Sequence, residues 1–438
     1  MQFDHFRTFR VAASDLNGQM RGKRVPRASY DKLDEEGSRM PLSVLNVDIW
    51  GADIEDSPLV FASGDEDGVL KPTEHGPVPM PWLDSPSAMV PMWMFHDDGT
   101  PFAGDPRHAL RRVLDRYAAR GWTVQAAVEM EFYLVDDTGH QLSAPQNPIS
   151  GRPVFGNAIL SIRQLDAFDS FLTDLYEACD AMDIPADSAS SEAGLGQFEI
   201  NLAHRDAMAA ADDAWLFKAL VRGMARRHDM AATFMAKPFE NDAGNGMHVH
   251  FSVLDENGNN IFDDGGARGT DLLRNAVAGC LAGMPGGTLL WAPHENSYAR
   301  FAPGAHAPTG ACWAYENRTA AIRIPSGPPK ARRIEHRVAC GDINPYLVLA
   351  GILGSALAGI EDGLEPPAPI TGSAYDLDLP RLMPDWESAV DRFETDPIMA
   401  RIFTPELITN FTMTKRQEIR RLADLPPEEH WMVYLETV

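Results

Sequence analysis

Polar and apolar residues alternate strictly in four short stretches of the chain. In residues 128–134, Val128, Met130, Phe132 and Leu134 take one face while Glu129, Glu131 and Tyr133 take the other, a period of two that predicts a strand. The same period recurs in residues 197–202, which put Gln197, Glu199 and Asn201 on one face. Residues 247–252 do so with His248, His250 and Ser252, and residues 333–338 with Arg333, Glu335 and Arg337. Between these stretches the period changes to three and four. Asp105-Pro106-Arg107 has the cap and first-turn proline of a helix start, followed by Leu110, Val113, Leu114 and Tyr117. Further helices are predicted over 164–182, 212–229, 269–283, 344–361 and 385–401.

Toward the start of the chain, residues 6–26 read as strand, turn and strand, with the turn at Asp15-Leu16-Asn17-Gly18. Residues 40–105 carry many Pro, Gly and Asp between short strand-like pieces. The pattern predicts an α+β protein of two unequal domains, a small sheet-rich one over 1–104 and a larger one over 105–438. Proline-rich patches near 77–91 and 366–369 read as linkers or loops, and there is no internal repeat.

Composition narrows the classes. With 44% hydrophobic and 23% charged residues over 438 positions, the chain has the usage of an ordinary globular protein, which excludes disordered and fibrous ones. The 63 acids outnumber 38 Lys and Arg, a net charge of -25 that repels nucleic acid and anionic membranes, so neither is expected as a partner. Cys179, Cys280, Cys312 and Cys340 form no CxxC pair and read as free thiols in a reducing compartment. Residues 1–10 lack an apolar targeting core, and the longest apolar run, 347–360, is short for a bilayer. A soluble, cytoplasmic protein is expected.

Two local departures from this average carry chemistry. Any one alternating strand can simply turn a polar face to water. Four of them, however, together with Glu192 seven residues before Glu199, bring together five glutamates and two histidines, groups that repel one another unless cations lie between them. This predicts a sheet curved around a cation site. Its carboxylate-rich donors suit Mg²⁺ or Mn²⁺ better than Zn²⁺. The second departure lies between Ala299 and Arg337. There Arg300, Arg318, Arg323, Lys330, Arg332, Arg333 and Arg337 face only Glu316 and Glu335, a local excess of five positive charges. Guanidinium forks beside divalent metals suit a nucleotide polyphosphate and a carboxylate substrate. Neither a GxxxxGK[ST] loop nor a GxGxxG turn after a strand is present, which disfavours P-loop and Rossmann binding.

The strings VEMEF, GQFEINL, KPFENDAGNGMHVHFS, NSYARFAPG, ENRTAAIRIP, KARRIEHR and NPYLVLAGILG, in this order, resemble the signatures of the glutamine synthetase family over nearly the whole chain. DLNGQMRGK resembles the start of the family's N-terminal beta-grasp domain, and GSAYD with the final Tyr434-Leu435 resembles the branch that ligates glutamate to organic amines, the gamma-glutamylpolyamine synthetases. The resemblance implies a beta-grasp-like domain followed by a catalytic domain with a curved antiparallel sheet. It also implies that Glu131, Glu192 and Glu199 bind one metal, and Glu129, His248 and Glu335 the other. By the same carry-over Arg300 and Arg337 hold the glutamate carboxylates with Gly244 beside them, and Arg318, Arg323 and Arg333 face the phosphates. His250, Ser252 and Lys330 contact the nucleotide. The implied reaction passes the γ-phosphoryl of ATP to the side-chain carboxylate of L-glutamate, and a nitrogen nucleophile then attacks the acyl phosphate. A dodecamer of two hexameric rings is implied as well.

The ammonium cage of true glutamine synthetases resembles a small anionic box, and in this chain it is largely dismantled. His306 stands where the family has its flap glutamate, and Ile159-Leu160 replace a Tyr-Phe pair. The segment Asn46-Val47-Asp48-Ile49-Trp50-Gly51 leaves Asp48 as the remaining acid, with Trp50 beside it. Bare ammonium needs ligands on all sides, whereas apolar surface at Trp50, Ile159 and Leu160 favours an alkyl or aryl amine. An organic amine is therefore the expected second substrate, with His306 either a base for its excess proton or a hydrogen-bonding closure of the flap. Ala243 replaces an asparagine of the glutamate loop, and Tyr375 reads as a structural tyrosine. The alternatives are a glutamine synthetase that uses ammonia and a non-catalytic scaffold or sensor.

Overall fold

In the computed structural model residues 3–302 and 307–438 are described, and their strands form two sheets. The first contains β1 (Thr8–Ser14), β2 (Met20–Pro26), β3 (Ser38–Pro41), β4 (Asp67–Pro72), β5 (Val78–Pro79) and β6 (Ser87–Phe95) in the order β2-β1-β6-β4-β3, with β5 beside β6. The predicted hairpin is β1 and β2, joined by residues 15–19. Asp15 Oδ1 accepts from the Asn17 and Gln19 amides, each at 2.9 Å, and Gly18 supplies the left-handed residue at φ +81°. The helix Tyr30–Glu36 follows β2, and β6 returns parallel to β1, which is the beta-grasp arrangement. The stretch near 77–91, expected as loop, instead supplies β5 and much of β6. Pro91 is tolerated because it lies where β6 stops pairing with β1 and starts pairing with β4.

The second sheet contains β7 (Thr123–Val135), β8 (Ala186–Ser191), β9 (Gln197–Asp206), β10 (Ala231–Thr233), β11 (Met247–Leu254), β12 (Trp313–Tyr315), β13 (Ile322–Ile324) and β14 (Ile334–His336). Their order is β12-β13-β14-β11-β7-β9-β8, with β10 beside β7, and only β12 and β13 run parallel. All four alternating stretches are strands in this sheet. The last is shorter than predicted, so that Arg333 and Arg337 flank β14. A register shift between Ala126 and Val128 bends β7 against β9 close to the glutamates.

Helices cover the apolar side of this sheet. Pro106–Ala118 begins as predicted, with Asp105 accepting from the Arg107 amide at 2.8 Å. The helix expected over 164–182 is two, Ile162–Ala167 and Asp169–Ala181, separated at Phe168, whose ring is fully buried. That over 385–401 is also two, Trp386–Thr395 and Pro397–Ile402, because Asp396 caps a new start before Pro397. Helix Pro405–Ala423, capped by Thr404, was not predicted. Pro345–Asp362 is long and apolar enough to cross a membrane, although the run within it looked short, but 83% of it is buried inside the protein. It crosses Asp271–Gly283 so closely that a Cβ on Gly279 would lie 2.1 Å from the Ser355 carbonyl.

The small sheet is bound to the helices by buried polar contacts. Trp215 Nε1 donates to Gly18 O at 2.9 Å, and Asn344 Nδ2 to Asp15 O at 2.8 Å. Asn17 Nδ2 donates to Glu418 at 2.7 Å, and the same carboxylate pairs with the fully buried Lys415 at 2.8 Å.

Candidate active site

The register of the large sheet sets its charged side chains in rows. Glu131 lies opposite Glu199, Glu129 lies between His248 and Asn201, and Glu335 lies between His250 and Arg323. Glu129 reaches both histidines, His248 Nδ1 at 2.8 Å and His250 Nε2 at 2.9 Å. Two groups of ligand atoms fall within 4.8 Å of one another, Glu129 with Glu199 and His248, and Glu129 with His250 and Glu335. This grouping differs from the expected one. Glu129 belongs to both sets, because the two histidines are two residues apart on one strand face and a glutamate spans that distance. Glu131 instead accepts from the Gly246 amide.

The electrostatics fit a cation site. Burial, then the charges of Glu131 and Glu129, push Glu192 up to about 7, opposed by Arg318. Burial and the charges of Glu131, Glu129 and Glu192 push Glu199 up to about 9. Burial also raises Glu129 and Glu335, but both end below the ordinary range: His248 and His250 outweigh it at Glu129, and Arg337 with the two histidines at Glu335. Such crowding of carboxylates around one or two imidazoles is relieved by a hard divalent cation, so the donor set suits one.

The predicted arginines converge on the same face. Arg323 donates to Glu335 at 2.7 Å, Arg337 donates to the other oxygen of Glu335, and Arg333 Nε donates to His250 Nδ1 at 3.2 Å. Arg300 donates to Val338 O at 2.8 Å. Gly244 and Gly246 cradle it, since a Cβ would come within 2.8 Å of Arg300 Cγ at the first and 2.4 Å of Nη2 at the second. A cleft of about 730 Å³ opens beside these groups and brings together His250, Ser252, Lys330 and Arg333 with Glu129. It also takes in Asn201, whose side-chain oxygen is buried without a partner, and His204. Asn201 shared the polar face in the sequence, whereas His204 lay beyond the stretch that read as strand.

Other predicted residues lie apart from this cluster. Asp48 is fully buried, one oxygen accepting from the Trp50 amide at 3.0 Å and the Ala52 amide at 2.9 Å. Its other oxygen accepts from Gln417 at 2.9 Å and from Arg421, whose guanidinium lies 4.4 Å over the Trp50 ring. Within the chain both residues thus bind helix Pro405–Ala423. Ile159 and Leu160 are 54% and 70% exposed. Their turn is fastened beside Glu192 by Ser191, which accepts from the Ser161 amide at 2.8 Å and donates to Ala158 O at 2.7 Å. Tyr375 donates to Ala307 O at 3.2 Å. His306 lies outside the described residues.

Residues 103–434 match the glutamine synthetase catalytic domain. The chain belongs to the glutamine synthetase family. Gamma-glutamylputrescine synthetase PuuA of Escherichia coli K12 is 40% identical over 370 residues, 84% of this chain and 78% of that protein. Gamma-glutamylethanolamide synthetase GlnA4 of Streptomyces coelicolor is 31% identical over 412 residues, 93% of this chain and 88% of that protein. Among solved structures, GmaS without ligand superposes with a TM-score of 0.83 at 27% identity, covering 97% of this chain and 96% of the other. The GmaS complex with ADP gives 0.84 at the same identity, covering 98% and 97%.

Proposed function

We propose that the protein is an ATP-dependent ligase that joins the γ-carboxylate of L-glutamate to an organic amine through γ-glutamyl phosphate. The observation that carries this reading is the paired set of Glu129, Glu199, His248, His250 and Glu335 facing a convergent group of arginines in a chain whose relatives include gamma-glutamylputrescine and gamma-glutamylethanolamide synthetases. Two or more Mg²⁺ or Mn²⁺ ions, when bound, neutralise the phosphate oxygens and stabilise in-line transfer. We assign Glu129, Glu131, Glu192, Glu199, His248 and Glu335 to them, with His250 as a further donor in reach.

Each remaining role follows from charge and position. Arg300 and Arg337 hold the glutamate carboxylates, with the bare backbone at Gly244 letting the Arg300 side chain pack against it. Arg318, Arg323 and Arg333 take the developing charge on the transferred phosphoryl, which leaves ADP. His250, Ser252 and Lys330 line the nucleotide cleft. The neutral amine attacks the acyl carbon, an amide bond forms, inorganic phosphate departs, and the amine's excess proton goes to a base, for which we assign His306. Ile159 and Leu160, exposed on a turn fastened next to Glu192, provide apolar surface for the amine's carbon chain. Trp50 reaches an amine site only if a neighbouring subunit supplies it, which agrees with a dodecamer of two hexameric rings; Asp48, fully buried in its own chain, holds the Trp50 loop rather than meeting the amine. Residues 1–104 form the domain that presents Trp50, residues 105–438 the catalytic one. The four unpaired cysteines support a cytoplasmic location.

The test is ADP release with glutamate, Mg²⁺-ATP and a panel of ammonium, methylamine, ethanolamine, putrescine and aniline, with mass analysis of the product. A glutamyl amide formed much faster with one organic amine supports the reading. A clear preference for ammonium makes the protein a glutamine synthetase and refutes the role given to Ile159 and Leu160.

A further inference from the structure

Away from the charged face of the large sheet, a cleft of about 1100 Å³ opens between the glycine-rich loop at 263–269, the β12–β13 edge and the proline run at 366–369. Its walls are largely apolar. Trp313 Nε1 donates to Pro367 O at 2.7 Å and fixes the proline run against the sheet, and the Tyr315 hydroxyl donates to Arg268 O at 2.9 Å, anchoring the loop opposite. Three arginines, Arg268, Arg274 and Arg332, and two glutamates, Glu316 and Glu365, line it. Arg274 has a carboxylate partner in Asp271, but among the described residues the others have none within ion-pair reach.

Arg332 is the anomaly. It is only 7% exposed, donates to the Gly266 carbonyl at 2.6 Å and leaves its buried Nε without an acceptor, and among the described residues no carboxylate lies within ion-pair reach. Arg268 makes no side-chain hydrogen bond or ion pair among the described residues either. A buried guanidinium without a counter-ion is costly, and a chain of net charge -25 does not lack acids to supply one. The cleft also touches the catalytic face through one side chain. Glu316 in its wall, held at φ +57°, lies 3.5 Å from Arg323 Nη2, and the other fork nitrogen of Arg323 binds Glu335 at 2.7 Å.

We propose that this cleft is an effector site for a small planar-ring compound bearing a phosphate or carboxylate. The ring lies against Tyr315 and the prolines, and the anionic group is the missing partner of Arg332 and Arg268. Its charge repels Glu316, which leaves Arg323 more firmly held by Glu335 and less available to the nucleotide, so the ligand weakens ATP binding. The effect on ATP rests on the ligase reading; the binding itself does not.

Phenyl phosphate is the probe, titrated by calorimetry into the full-length protein saturated with Mn²⁺ and a non-hydrolysable ATP analogue, so that the positions of all three nucleotide phosphates are filled. We expect one site per chain, with affinity lowered at least tenfold in both Arg332→Gln and Arg268→Gln, and inorganic phosphate binding more weakly than phenyl phosphate. In turnover assays phenyl phosphate raises KM for ATP at least twofold in the parent protein and leaves it unchanged in Arg268→Gln, whose basal activity is normal. No binding to the nucleotide-filled protein, or binding indifferent to both substitutions, overturns the site. Binding without a change in KM for ATP overturns the effector role. Turnover absent in the parent protein, with binding intact, refutes the ligase reading and not the site.

Discussion

Removing divalent metal from the protein and adding it back tests the crowded carboxylates directly. Burial and mutual repulsion raise Glu199 to about 9 and Glu192 to about 7 from an ordinary 4.5. At pH 7.5 the first is then almost wholly protonated and the second about one-quarter so, and a cation that takes both as carboxylates displaces about one proton. At pH 6.0 it displaces about two. Near pH 7.5 the metal affinity should therefore rise about tenfold per pH unit, or about 1.4 kcal/mol. The assay is calorimetric titration of Mn²⁺ into metal-free protein in two buffers of different ionisation enthalpy, which counts the protons released. Release of fewer than ~0.3 protons at pH 7 would refute the reasoning, because the carboxylates would already be ionised without the ion. The same shifts fix a sign for stability. Both folded-state values are raised, so from pH 4.5 upward the folded chain keeps protons that the unfolded chain has lost. Stability of the metal-free protein should fall as pH rises through 7 toward 9, and saturating Mn²⁺ should remove that slope.

Three further outcomes are expected. Glu335→Ala strips Arg323 and Arg337 of their shared partner and removes a candidate ligand; ATP turnover should fall at least ~10²-fold with the far-ultraviolet circular dichroism unchanged, and an unaltered rate rules out the metal assignment. Glu418→Ala leaves buried Lys415 unpaired and Asn17 without its acceptor; the loss should be about 3–5 kcal/mol, read as a lower urea midpoint, and a change below ~1 kcal/mol would show that water replaces the carboxylate. Leu160→Ser removes apolar surface from the exposed turn; the KM for the preferred organic amine should rise roughly tenfold while those for glutamate and ATP stay fixed. A parallel rise in all three would point to a displaced turn.

Local pattern alone determined the four strands and which of their residues share a face, because the side-chain period in a strand is two regardless of what the strand meets. It determined the helix start at Asp105, where a cap and a proline act within one turn, and the Asp15–Gly18 turn, where Asn-Gly chemistry is local. Motif resemblance added the family and the roles expected of its residues. Neither could decide how the ligands group, since Glu129 joins both histidines only through the antiparallel register of β7 and β11. The splitting of two predicted helices depended on a buried Phe168 and a capping Asp396, and the strand in the proline-rich stretch on pairing with β1 and β4. Helix Pro405–Ala423 takes its meaning from what it buries, the polar contacts with Asn17 and Asp48 more than 360 residues away in sequence. The unpaired charge of Arg332 is likewise invisible in a stretch of seven cations, because which guanidinium keeps a partner is settled by packing and burial, not by composition.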